Sequence, residues 1–162
     1  YSKALNAGQY PLSVLAMTGK AAELYRQGIY GNTMTSNPKA LDVASAVIKY
    51  ISPELRKNIR DRGSELVEKL DALSHELGMD ITNVQGTGLL ASCELNEQFK
   101  CYGKNSTEEY LRKNGLGVIH GGANSLRYTP CFQITSNEVD LIVELTRDAL
   151  INGPKKESNL SH

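Results

Sequence analysis

Ser2-Lys3-Ala4-Leu5-Asn6-Ala7-Gly8-Gln9-Tyr10-Pro11-Leu12-Ser13 places a lysine at the mouth of a small-residue turn that leads straight into an apolar run. A primary amine held uncharged in such a turn can condense with an aldehyde cofactor. Residues 11–18 are apolar and partly β-branched, which predicts a strand. The chain opens on its best catalytic candidate and has no starting Met. It therefore reads as the later part of a longer protein.

Composition narrows the field around that segment. Across 162 residues, 40% are hydrophobic and 22% charged, a globular rather than a disordered balance. Lys plus Arg (18) equals Asp plus Glu (18), so no net charge draws the chain to nucleic acid or to an anionic membrane. No apolar run approaches the roughly 20 residues that span a bilayer. The first residues carry no leader pattern. Cys93, Cys101 and Cys131 form an odd set without CxxC spacing, and His75, His120 and His162 are scattered. Neither a disulfide framework nor a metal site is expected. Asn105-Ser106-Thr107 and Asn159-Leu160-Ser161 match the glycosylation sequon by chance if the compartment is reducing. The expectation is a soluble cytoplasmic protein.

Farther along, residues 20–26 predict a short helix, and 28–38 a polar loop ending in Asn37-Pro38. Asn37 can cap a helix over 38–51 with Pro38 at its first position. Ala40, Leu41, Val43, Ala44, Ala46, Val47, Ile48 and Ile51 cover most of that helix, predicting burial on more than one side. Ser52-Pro53 starts a second helix to about residue 77, with Leu55, Ile59, Leu66, Leu70, Leu73 and Leu77 at helical spacing. Its charges, including Lys57 and Asp61, read as a solvated face with i,i+4 pairs. After residue 80 the period changes. Residues 81–84 and 89–95 predict strands joined by Gln85-Gly86-Thr87-Gly88. A helix is expected over 107–114, short strands over 117–120 and 126–128 around the turn 121–124, and a last helix over 137–151 capped by Ser136. Residues 1–36 then look like the end of a larger unit, 37–51 a connecting helix, 52–151 a compact α+β module and 152–162 a polar tail.

Four segments in register resemble the class III aminotransferases of the ornithine, acetylornithine and 4-aminobutyrate type, which use pyridoxal phosphate. They are the Lys3 segment; Tyr30-Gly31-Asn32-Thr33-Met34-Thr35-Ser36-Asn37-Pro38; Val84-Gln85-Gly86-Thr87-Gly88-Leu89-Leu90; and residues 115–130, closing on Leu126-Arg127-Tyr128-Thr129-Pro130. The resemblance runs to about residue 151. It implies an α/β, fold-type-I transferase: the end of the large domain plus the small α+β C-terminal domain. It also implies roles. Lys3 would form the Schiff base with pyridoxal 5'-phosphate. Thr33 would hold the cofactor phosphate across a homodimer interface, and Asn32 beside it could, by its own chemistry, add a donor to that phosphate. Arg127 would bind the substrate carboxylate. The activity implied is amino transfer from an amino acid to a 2-oxo acid.

Elementary chemistry suits these assignments. A phosphate takes N–H and hydroxyl donors on a tight loop. A carboxylate takes the planar fork of arginine. The residues by themselves leave other roles open: Lys3 as a surface lysine, Thr33 as a turn residue, Arg127 in a structural ion pair, and His120-Gly121-Gly122 as a plain turn. Asn6 and Ala7 stand where the family has glycines, and Met34-Thr35-Ser36 depart from its loop. An aminomutase or decarboxylase relative, or a non-catalytic interaction module, would share much of this pattern. The family's other cofactor contacts precede the lysine, so the chain alone is expected to be inactive.

Overall fold

The computed structural model describes residues 1, 3, 5–29, 31 and 36–156. It divides into two units, Tyr1–Ser52 and Pro53–His162.

The first unit begins with a turn of unusual backbone. Lys3, Ala7 and Gly8 all take positive φ (68°, 55° and 70°). Asn6 is fully buried inside the turn, and its Nδ2 donates to the Tyr10 carbonyl at 2.9 Å. The Val14 N–H donates to the Tyr1 carbonyl (2.7 Å), and the Tyr1 amino group returns a bond to the Val14 carbonyl. Among the described residues that one pair is the whole ladder. The strand expected over 11–18 does not form, because an extended segment becomes a strand only where a neighbour satisfies successive N–H and C=O groups, and none does among the described residues.

Helix α1 is a single turn, Gly19–Ala22, shorter than the expected 20–26 and capped by Thr18. Helix α2 (Pro38–Tyr50) follows the cap foreseen for it: Asn37 Oδ1 accepts from the N–H groups of Lys39 and Ala40. Its expected many-sided burial is corrected. Ala40 and Ala44 are buried, whereas Leu41, Ile48 and Tyr50 are exposed. Ala40, Val43, Ala44 and Val47 lie on one i,i+3/i+4 stripe, while Leu41 and Ile48 lie seven residues apart on another.

In the second unit, helix α3 (Pro53–Glu76) precedes strands β1 (Ile81–Thr87) and β2 (Leu90–Leu95). Helix α4 (Thr107–Lys113), strands β3 (Ile119–Gly121) and β4 (Ser125–Tyr128), and helix α5 (Ser136–Asn152) complete it. The sheet is antiparallel, in the order β1-β2-β4-β3. Leu66, Leu70 and Leu73 of α3 and Val139, Ile142, Val143 and Leu150 of α5 share one core with Ala91, Cys93, Leu126 and Tyr128 of the sheet. Lys69 joins the two helices by bonding both Glu65 and Asp140.

Two boundaries move. The hairpin turns at Gly88-Leu89, since Gln85 and Gly86 pair with Ser92 and Ala91 and Thr87 pairs with Leu90. Gly88 takes φ +53° at the first loop position, where a tight hairpin of this kind favours glycine. Helix α5 is capped by Thr135 rather than Ser136. Thr135 Oγ1 accepts the Glu138 N–H, and the Glu138 carboxylate accepts the Thr135 N–H, a reciprocal capping box.

The hairpin is held close to α3. A Cβ at Gly63 would lie 2.8 Å from Gly88 Cα and closer still to the Gly88 carbonyl. Asn124 fastens the loop after β2. Its Nδ2 donates to the carbonyls of Leu95, Asn96 and Phe99, and its Oδ1 accepts the Cys101 N–H.

Candidate active site

Alternation along β4 buries Leu126 and Tyr128 and turns Ser125 and Arg127 to the opposite, uncovered face. The register carries that face across the whole sheet. Gln85 stands opposite Ser92, Ser92 opposite Arg127, and Arg127 opposite Ile119. Gln85, Thr87, Leu90, Ser92 and Arg127 line an open depression there.

Among the described residues the Arg127 guanidinium forms neither a hydrogen bond nor an ion pair. Glu94 shares the face, opposite Ser125, yet the two charges do not pair. The structural ion pair left open for Arg127 is therefore absent from this arrangement. An exposed fork with its donors uncommitted suits a bidentate anion such as a carboxylate.

Lys3 belongs to the other unit. It is exposed, and its φ of 68° puts a non-glycine residue in the left-handed region, a cost tolerated chiefly where a turn or a function requires it. Beside it, the buried Asn6 keeps one polar atom, Oδ1, without a donor. A primary amine in reach on a polar turn is the group with which an aldehyde condenses, so the residue types of this segment are compatible with pyridoxal phosphate. Asn32 and Thr33, and Tyr30 with them, lie outside the described residues.

Other reactive groups are tied into the fold. Burial pushes the Cys93 thiol up to about 11, against the opposing effect of the Tyr128 hydroxyl 3.5 Å away. Burial, with Cys93 and Glu108 adding to it, pushes Cys101 up to about 12. Burial likewise raises the Tyr128 phenol, which bonds Thr146 at 3.0 Å. His120 lies in β3, as the strand expected over 117–120 has it. Its Nδ1 sits 3.1 Å from Glu108 and its ring stacks on Tyr102. No group of three or more His, Cys, Asp or Glu able to hold a metal occurs among the described residues. Gln85 and Ser92 escaped the sequence reading as neighbours of Arg127. The period-2 alternation of β4 was visible, but the cross-strand register that aligns them was not.

The aminotransferase class-III family model matches residues 1–150. The chain belongs to this family. Its members depend on pyridoxal phosphate. The chain superposes on acetylornithine aminotransferase from Elizabethkingia anophelis with a TM-score of 0.80 and 25% identity, over 93% of this chain and 39% of that one. For ornithine aminotransferase from Toxoplasma gondii the values are 0.80 and 22%, over 93% and 35%. That protein carries partially occupied pyridoxal phosphate at its active site. For ornithine δ-aminotransferase from Plasmodium falciparum they are 0.77 and 23%, over 93% and 38%. The fold is thus that of the fold-type-I aminotransferases, and this class-III chain spans well under half the length of these relatives. No helix among its described residues is long and apolar enough to cross a membrane.

Proposed function

We propose that this class-III chain is the C-terminal portion of an aminotransferase that moves an amino group to a 2-oxo acid. The donor would be an amino acid of the ornithine, acetylornithine or 4-aminobutyrate type. The observation that carries the proposal is the uncommitted Arg127 guanidinium on the open face of the sheet, in a chain of this family. Residues 1–36 would be the end of the large domain, 37–51 a connecting helix, 52–151 the small domain and 152–162 a tail. The working unit would be a cytoplasmic homodimer.

Bound pyridoxal phosphate would supply the electron sink that makes the substrate Cα–H acidic. Lys3 would hold the cofactor and carry the proton on Nζ between two carbons, which requires an amine free of its own charge. Its exposure on the turn leaves Nζ room to swing. Asn32 and Thr33 would bind the phosphate, Thr33 from the neighbouring subunit. Arg127 would fix the substrate carboxylate and so orient the bond to be broken, a positioning effect rather than a chemical one.

Borohydride treatment of the full-length, cofactor-loaded protein, followed by peptide mapping, tests the assignment of Lys3. The label is expected on Lys3, and Lys3→Ala is expected to abolish amino transfer to 2-oxoglutarate. Label elsewhere, or an active Lys3→Ala protein, refutes it. The 162-residue chain by itself is expected to show no turnover with added cofactor.

A further inference from the structure

We infer that Gly121 is a positioning residue for Arg127, one that sets where the guanidinium meets a substrate carboxylate. The inference rests on the proposed role of Arg127. Gly121 lies in β3 opposite Ser125, two residues before Arg127 on the facing strand, so both occupy the outer face. A Cβ built on Gly121 would fall 2.6 Å from Arg127 Nη2, 3.1 Å from Cζ and 3.2 Å from Nε. These are the three atoms it would meet first, and all belong to one guanidinium. The Gly121 φ is not in the left-handed region. What glycine provides at this position is therefore space rather than backbone freedom, and Arg127 fills that space.

The second half of the argument is what does not hold Arg127. No carboxylate, carbonyl or hydroxyl among the described residues bonds its guanidinium. A long, exposed cation with no partner ordinarily samples several rotamers. Here its resting place is across a bare stretch of β3, and that place exists only while residue 121 lacks a side chain. Adding one methyl displaces the fork while leaving the sheet alone, because the far end of a side chain can yield where backbone cannot.

The experiment is a double-mutant cycle in the full-length, cofactor-loaded protein, with 2-oxoglutarate as acceptor. Gly121→Ala is expected to raise KM about tenfold with kcat little changed, and Arg127→Ala about 10- to 100-fold, in keeping with the loss of charge-assisted hydrogen bonds. In the Arg127→Ala background, Gly121→Ala is expected to change nothing further. Its melting temperature is expected to match that of the parent. If Arg127→Ala leaves KM unmoved, the carboxylate role itself fails. If Arg127→Ala raises KM and Gly121→Ala does not, only the positioning role fails. A Gly121→Ala effect that persists without Arg127, or a Gly121→Ala protein that unfolds, also overturns the inference.

Discussion

Replacing Gly63 by Ala sets two effects of opposite sign against each other. Gly63 lies inside α3, where Ala is favoured over Gly by about 1 kcal/mol. By helix propensity alone the variant is stabilised. The structure reverses that. The new Cβ would sit 2.8 Å from Gly88 Cα and closer to the Gly88 carbonyl, all of it backbone at the hairpin turn. Ordinary carbon contacts lie at about 3.5–4.0 Å, so the helix and the turn must part by roughly an ångström. Neither side can give way by a rotamer change, which places the clash at the upper end of the about 1–3 kcal/mol typical of overpacking. Lifting α3 also loosens Leu66 and Leu70, both fully buried, and a gap of about 0.5–1 Å forfeits a quarter to a half of each dispersion contact. The net expectation is a loss of about 2–3 kcal/mol and a melting temperature lower by roughly 10 °C. Thermal and urea unfolding of the chain, followed by circular dichroism, measures it. Gly117→Ala is the control, since a Cβ there meets nothing within 4 Å and its φ is not positive; it should be neutral or slightly stabilising. A Gly63→Ala protein as stable as the parent refutes the close approach of α3 to the hairpin.

Two further outcomes follow from two buried thiols and one half-buried carboxylate. With burial holding the thiols of Cys93 and Cys101 near 11 and 12, the native protein at pH 8 should take up one equivalent of thiol reagent, at exposed Cys131, and two more only on unfolding; fast labelling of all three would contradict the core packing. Glu65 is the acid to follow with pH. Burial raises its carboxyl, but hydrogen bonds from Lys69 and Ser136, with the Lys69 and Arg62 charges, outweigh this and leave it below 4.5. A depressed carboxyl stabilises the fold above its unfolded value, and that contribution is lost as pH falls through the folded one. Glu65→Gln should therefore cost about 1 kcal/mol at pH 7 and progressively less below pH 4.5, read by urea unfolding at several pH values; a cost independent of pH would sink this account.

Much of the second unit could be read from residue spacing, because its elements are amphipathic and bury what their period predicts. Leu66, Leu70 and Leu73 of α3 and the Val139-Ile142-Val143 stripe of α5 do face the core. Local pattern failed where a partner decides the outcome. Residues 11–18 have the composition of a strand, but successive pairing makes a strand, and among the described residues only Val14 finds a partner, in Tyr1. Gln85-Gly86 resembles a turn in sequence, yet Ser92 and Ala91 take its hydrogen bonds and push the turn to Gly88. Ser136 and Thr135 are both competent caps, and Glu138 selects Thr135 because only that choice lets the two residues bond reciprocally. For the site, Arg127 was legible as a residue type in a short strand. Its lack of a counter-ion among the described residues and its cross-strand company were not, since both depend on register.

Gly63 and Gly121 show how a sheet divides its work between two faces. Neither is in the left-handed region, and neither stands out in sequence. Gly63 meets backbone on the covered side, so a methyl there is paid in stability. Gly121 meets the free end of a cation on the uncovered side, so a methyl there moves a guanidinium and leaves the fold alone. The difference arises because α3 and α5 seal one face of the sheet with Leu66, Leu70, Val139 and Leu150 and leave the other to Gln85, Ser92 and Arg127. A rigid core behind the sheet fixes the strand register, and the register fixes the spacing of the groups in front of it. A substitution that softened the core while keeping Arg127 in place would blur the position of the fork before it unfolded the domain. Binding of a carboxylate should then weaken at temperatures where the helices still persist.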